Sequence, residues 1–151
     1  EELNFEQEVN ETLASISEEV TYSQANITSN YEVPSIHYSK RTLDSILINL
    51  LTNAIKYRKK DTPPNIHIHT YDEDGQTVLS IKDNGIGIYM ERHQNKLFGL
   101  YQRFNTDVNG KGMGLFLIKN QIEALHGSIT VQSALKEGSN FIIRFKKNNE
   151  Q

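Results

Sequence analysis

Between Leu43 and Ile55 seven apolar residues, Leu43, Ile46, Leu47, Leu50, Leu51, Ala54 and Ile55, are spaced alternately three and one apart. At about 100° per residue that spacing keeps all seven on one broad face of a helix. Such a helix is stable in water only when the face lies against a second apolar layer. The rest of the chain indicates what that layer is. Ile66, Ile68 and Thr70 alternate with His67 and His69, and Val78, Leu79 and Ile81 follow after the turn residues Asp72 to Gly75, which predicts a hairpin. Ile129 and Val131, then Phe141, Ile143 and Phe145, predict two more strands around a turn containing Gly138. Ile27 to Tyr31 and Val33 to Tyr38 are short β-compatible runs broken by Pro34.

Two further helices complete the pattern. Phe5, Val9, Leu13, Ile16 and Val20 fall at spacings of 4, 4, 3 and 4, with Asn4 and Gln7 placed as a capping box. Leu115, Ile118, Ile122 and Leu125 predict a helix closed by Gly127 as its C′ residue. The helix of the broad face is expected to end near Arg58, ahead of Pro63 and Pro64. The expected fold class is α/β (α+β): a two-layer sandwich with three main helices on one face of a mixed, mostly antiparallel sheet. Residues 1–151 are read as a single domain, since about 150 residues support one core. The stretch from Ile88 to Gly110 has few periodic cues and reads as a long functional loop with one short helix. The tail from Lys146 to Gln151 reads as frayed.

Composition removes several classes of function. Sixteen basic against nineteen acidic side chains leave a formal charge of −3, so no general field attracts nucleic acid or anionic lipid. No apolar run approaches the roughly 18 residues of a membrane helix. The absence of cysteine excludes disulfides, thiolate zinc sites and thiol nucleophiles, and fits a reducing compartment. Chemistry has to come from oxygen and nitrogen groups. The chain begins at Glu1 without a signal peptide and is expected to be a portion of something longer.

Familiar phosphate and nucleophile signatures fail on their spacing. No Gly-x-x-x-x-Gly-Lys-Ser/Thr loop occurs, and Gly110, Gly112 and Gly114 are followed by Leu115 where a dinucleotide fingerprint needs another glycine. No His-Arg-Asp catalytic loop or Gly-x-Ser-x-Gly elbow is present. Three other elements remain. On the helical wheel, with Leu43 at zero, Asn49, Asn53 and Lys56 fall at about 240°, 280° and 220°, beside the apolar face, and Tyr57 lies at its edge. Two amide oxygens can face a hard cation, a lysine can reach phosphate and a tyrosine ring can cover a base; the same residues also describe a solvated helix flank. Asp83-Asn84-Gly85-Ile86-Gly87 ends a strand, where the carboxylate can accept the exocyclic N–H of adenine; it also reads as a plain glycine turn. Gly110-Lys111-Gly112-Met113-Gly114 opens a helix, where free N–H groups and the helix dipole attract anions; a flexible hinge gives the same pattern.

In their order these elements resemble the catalytic, ATP-binding domain of two-component sensor histidine kinases, within the superfamily that includes gyrase, the Hsp90 chaperones and the MutL repair proteins. Asn49-Leu-Leu-Thr-Asn53-Ala-Ile-Lys56-Tyr57 is similar to the N box, Asp83-Asn-Gly85-Ile-Gly87-Ile88 to the G1 box, Lys96-Leu-Phe98-Gly-Leu-Tyr-Gln-Arg103-Phe104 to the F box, and Gly110-Lys111-Gly112-Met113-Gly114-Leu115 to the G2 box. The similarity runs from about Leu43 to Phe145, through Lys119, the stretch Glu123 to Gly127, and Gly138 to Phe141.

The resemblance implies an ATP site with Mg²⁺, enclosed by a lid at about 88–112. Asn53 would ligate the metal and Asn49 would sit beside metal and phosphates. Lys56 would contact phosphate, Tyr57 would pack on adenine and Asp83 would read its N6. Gly85, Gly87 and Ile88 would border the ring, Phe98 would anchor the lid, and Arg103 would steady the γ-phosphate. Gly110, Lys111, Gly112, Met113, Gly114 and Leu115 would bring the lid to the triphosphate. The implied partners are a histidine-bearing dimerisation domain of the parent kinase and, through it, a response regulator; no nucleic acid and no direct membrane contact are implied. The isolated domain is expected to be a cytoplasmic monomer, whether or not the parent is membrane-anchored.

One position separates transfer from hydrolysis. The superfamily's ATPases carry a water-activating glutamate where this chain has Asn49, an amide with no useful basicity, so direct hydrolysis is expected to be slow. Lys111 and Ser128 depart from the usual residues without removing a ligand. No helix with an acceptor histidine precedes the domain, so self-phosphorylation is not expected. His67 and His69 share a strand face and read as a solvated edge rather than a metal site. Two other functions fit parts of the pattern: a stand-alone serine kinase of the anti-sigma type, and a nucleotide-regulated binding module without transfer activity.

Overall fold

The computed structural model describes residues 1–87 and 114–147. The stretch expected to form a lid, with Ile88, Phe98, Arg103, Gly110, Lys111, Gly112 and Met113, and residues 148–151 of the tail lie outside the described residues.

Seven strands and four helices occur among the described residues. A short strand β1 (Glu2–Asn4) leads into helices α1 (Phe5–Ser15) and α2 (Ser17–Ser23). Strands β2 (Asn26–Tyr31) and β3 (Ser35–His37) follow, then α3 (Lys40–Lys56). The hairpin β4 (Asn65–Glu73) and β5 (Gln76–Asp83) comes next, then α4 (Gly114–Ala124) and the hairpin β6 (Ser128–Ala134) and β7 (Gly138–Arg144).

The main sheet has the order β2-β4-β5-β7-β6, with β2 parallel to β4 and every other pairing antiparallel. The helices lie on one face, as the sequence predicts. All seven apolar residues of α3 are buried and join Ile66, Ile68, Leu79, Ile81, Ile143, Ile118 and Ile122 in one core. Ser39 starts α3 by accepting the Thr42 N–H at 3.2 Å. The helix stops at Lys56, slightly before Arg58, whose Nη1 donates to the Ile55 carbonyl at 2.7 Å and satisfies a terminal acceptor. Thr70, fully buried on the core face, is satisfied by the β2–β3 link: its hydroxyl donates to the Val33 carbonyl at 2.6 Å.

The structure corrects three local expectations and adds one strand. The first amphipathic stripe is two helices, broken at Ile16. Just before the break, the Thr12 and Ser15 hydroxyls donate to the carbonyls of Glu8 and Thr12 and compete with the helical ladder. The capping box at Asn4 is half made: Asn4 accepts the Gln7 N–H at 2.9 Å, but the Gln7 side chain donates forward to Glu11 at 3.1 Å. Strand β1 escapes the sequence pattern because three residues are too few to show an alternation. It forms a separate two-stranded sheet with β3, flanked by Phe5 N–H to Pro34 and Tyr38 N–H to Glu1, both 2.9 Å. Finally, α4 is closed after Ala124 by His126, at φ +68°, with Gly127 one place later. Bonds from Gly127 N–H to Ile122 and from His126 N–H to Glu123, each 3.0 Å, make a Schellman motif with His126 at C′. Gly127 is needed for a different reason, since a Cβ there would sit 2.6 Å from the Arg144 carbonyl oxygen.

No described helix is long and apolar enough to cross a membrane.

Candidate functional site

The polar flank of α3 survives folding as a flank. Asn49 and Asn53 are half-buried, Lys56 is exposed and Tyr57, the residue that closes the helix, is half-buried. Asn49 donates its Nδ2 to the Ser45 carbonyl one turn back, at 2.8 Å. Its Oδ1 faces the first residue of α4, where a Cβ on Gly114 would meet it at 2.2 Å. Leu115, next in α4, packs against the core.

The end of α3 is joined to the turn after β5. Tyr57 N–H closes on Asn53 at 2.9 Å, and the Tyr57 carbonyl accepts the Ile86 N–H at 3.0 Å. Gly85 lies under that carbonyl, where a Cβ would come within 2.6 Å of the Tyr57 oxygen and 2.9 Å of Asp83 Oδ1. This contact joins the end of α3, at Tyr57, to the turn after Asp83, which is distant in sequence.

Asp83 is the last residue of β5 and pairs with Ile66 on one side and Ser139 on the other, in register with Ile81 and Leu79 on the helix side of the sheet. Its Oδ1 accepts the Gly85 N–H at 2.8 Å. Burial holds its carboxyl above the usual 3.8, with the Gly85 and Ser139 N–H groups pulling the other way. A carboxylate held inward at a strand end, partly desolvated and with its other contacts made by backbone donors, is suited to accept a ligand N–H.

The loop around Asp83 interlocks with the β6–β7 turn. Gly87, at φ +73°, leaves room for the Ala134 carbonyl, which a Cβ would meet at 1.9 Å; Gly138, at φ +100°, does the same for the Asp83 carbonyl at 2.0 Å. Lys136 N–H donates to Ile86 at 2.7 Å. What the missing side chains at Gly85 and Gly87 admit here is the protein's own backbone.

Several residues of this region were not singled out from the sequence. Ser139 and Ser133 share the cross-strand row of Asp83, with their hydroxyls 2.8 Å apart. Asn84 accepts the Asn65 N–H at 2.7 Å through Oδ1 and donates to Pro63 at 3.3 Å, tying the end of β5 to the start of β4. A serine after Gly138 was visible, but its register against Asp83 was not. His67 and His69 bond to Thr28 and Glu32, and no group of three or more metal-binding side chains occurs among the described residues.

Residues 38–149 match the family of histidine kinase-, DNA gyrase B- and HSP90-like ATPases. The chain belongs to that family. Sensor protein RprX of Bacteroides fragilis is 37% identical over 123 residues, covering 78% of this chain and 24% of that protein. The chain thus spans about a quarter of that relative's length. The solved catalytic domain of histidine kinase ThkA superposes with a TM-score of 0.82 at 22% identity, over 97% of this chain and 95% of that one. Full-length ShkA, solved with AMPPNP, gives a TM-score of 0.81 at 21% identity over 96% of this chain and 30% of its own. Within the histidine kinase-like ATPases, this chain is an ATP-binding catalytic domain of the histidine-kinase type, and its sheet and helices have the Bergerat arrangement of that family.

Proposed function

We propose that residues 1–151 act as one catalytic domain that binds Mg²⁺-ATP and passes the γ-phosphate to a histidine on the dimerisation domain of a parent kinase, from which a response regulator takes it. The observation that carries this reading is the junction of Tyr57 with Ile86, which sets the inward Asp83 carboxylate beside the polar end of α3.

Asp83 accepts the adenine N6–H, and Tyr57 covers the ring. Running back along α3, Lys56, Asn53 and Asn49 serve the phosphate end. The residues fit a magnesium ion: Asn53 and Asn49 offer hard amide oxygens, and among the described residues the Asn53 carboxamide has no hydrogen-bond partner. When bound, Mg²⁺ supplies charge neutralisation on the transferring phosphate. Lys56 adds a point charge there, Arg103 is assigned to steady the γ-phosphate, and the glycines from 110 to 114, with Lys111, Met113 and Leu115, to hold the triphosphate. In the transfer an imidazole nitrogen attacks the γ-phosphorus, the bond to the bridging oxygen breaks, ADP leaves and the imidazole gives up its proton. Asn49 has no basicity to activate water, which favours transfer over hydrolysis.

The test is γ-labelled ATP with this chain and a histidine-bearing dimerisation domain. Acid-labile label on that histidine is the expected result. Label on serine of another protein would establish the anti-sigma-type alternative, and nucleotide binding without transfer would establish the silent module.

A further inference from the structure

Gly114 is the first residue of α4, and nothing in its own backbone calls for glycine: its φ lies outside the left-handed range. Alanine is the better helix former at such a position. Among the described residues, the three heavy atoms nearest to a Cβ added there all belong to one side chain, Asn49: Oδ1 at 2.2 Å, Cγ at 3.1 Å and Cβ at 3.8 Å. The Asn49 carboxamide is itself held on its other side, because Nδ2 donates to the Ser45 carbonyl at 2.8 Å. With the amide hydrogens turned toward that carbonyl, the oxygen is turned toward the N-terminal end of α4, whose dipole favours negative charge.

We propose that Gly114 is a positioning residue for Asn49: the empty space at the start of α4 lets the Asn49 carboxamide stand where it serves the metal and phosphate end of the nucleotide. This inference rests on the ATP-binding reading above and gives Gly114, assigned there with the other glycines to the triphosphate, a second role that acts through Asn49. A methyl group at position 114 forces the carboxamide off the Ser45 carbonyl and out of its place, so Gly114→Ala reproduces at a distance the defect of Asn49→Ala.

Calorimetric titration of AMPPNP, with and without Mg²⁺, into the unsubstituted chain, Gly114→Ala, Asn49→Ala and the double variant tests it, with thermal midpoints measured for all four. Gly114→Ala is expected to lose about tenfold or more of the Mg²⁺-dependent affinity, matching Asn49→Ala. On the Asn49→Ala background the same substitution is expected to cost no further affinity and to leave or raise the midpoint, because the obstructing atoms are gone. Equal losses from Gly114→Ala on both backgrounds, or an unchanged Mg²⁺ dependence in the single variant, would overturn the inference. If Gly114→Ala alone fails to fold while the double variant folds, the coupling is supported; if neither folds, Asn49 is not the obstacle and the inference fails. An unsubstituted chain that binds no AMPPNP sinks the ATP reading and this inference with it; the midpoints then show separately whether the steric coupling was real.

Discussion

The two ends of the candidate nucleotide site are built differently. Around Asp83 the chain is interlocked through backbone: carbonyls of Tyr57, Ala134 and Asp83 occupy the spaces left by Gly85, Gly87 and Gly138, and amides of Ile86 and Lys136 pair across the gaps. Along α3 the proposed phosphate end is furnished by side chains, with Asn53 unpaired among the described residues and Lys56 exposed. The first region is set by folding. In the proposed site the second offers polar side chains and leaves its geometry to the ligand. Substitutions at the first should therefore register in stability, and substitutions at the second in binding.

The largest effect expected is on the interlocked side. Gly87→Ala combines a left-handed φ with a Cβ 1.9 Å from the Ala134 oxygen, and should cost about 3 kcal/mol or more of unfolding free energy in urea titrations. Gly75→Ala is the matched control: φ is +81° but nothing lies within 4 Å, so only the conformational cost of about 1–2 kcal/mol remains. Equal losses at the two positions would show that the interlock contributes nothing.

On the furnished side, Asn53→Ala should remove the Mg²⁺-dependent part of ATP affinity, by about tenfold to a hundredfold, while stability changes by no more than about 0.5 kcal/mol. A comparable fall in stability would move Asn53 into the structural class. Asp83 belongs to both regions, and Asp83→Asn should separate its two contributions. Because burial raises the folded carboxyl above 3.8, its stabilising contribution is complete below 3.8 and is lost as pH rises through the raised value. At neutral pH the ionised group therefore costs stability, and Asp83→Asn should raise the thermal midpoint while weakening adenine binding about tenfold or more. The gain should fade as pH falls through the raised value; a midpoint lowered at pH 7 would contradict the burial argument. Lys56→Ala should have the smallest effect, a loss of affinity of about fivefold that shrinks in salt, with no measurable change in denaturant midpoint.

Helix α3 was legible because its information is periodic: seven burial positions repeat with the helix, and each is buried in the fold. The hairpin strands were legible for the same reason, through the alternation of Ile66, Ile68 and Thr70 with His67 and His69. What escaped lacked a period. Strand β1 has three residues, the break at Ile16 depends on two hydroxyls turning back to carbonyls, and the positive φ at His126 falls on a residue whose type does not announce it. In the site, Asn49, Asn53, Tyr57, Asp83 and the glycines stood out by their order along the chain, but Ser139 and Ser133 did not, because strand register alone places them beside Asp83, and the bond from Asn84 to Asn65 depends on how β4 and β5 pair.

The sequence by itself determined which residue types sit on which face of which element, and through the order of its polar boxes, the family. Those are local properties, set by backbone periodicity and side-chain chemistry over a few turns. Only the tertiary structure decided that Gly85, Gly87, Gly114 and Gly138 answer to Tyr57, Ala134, Asn49 and Asp83, each of them more than 25 residues away. A glycine in sequence announces freedom; what uses that freedom is fixed by close packing between segments that only folding brings together.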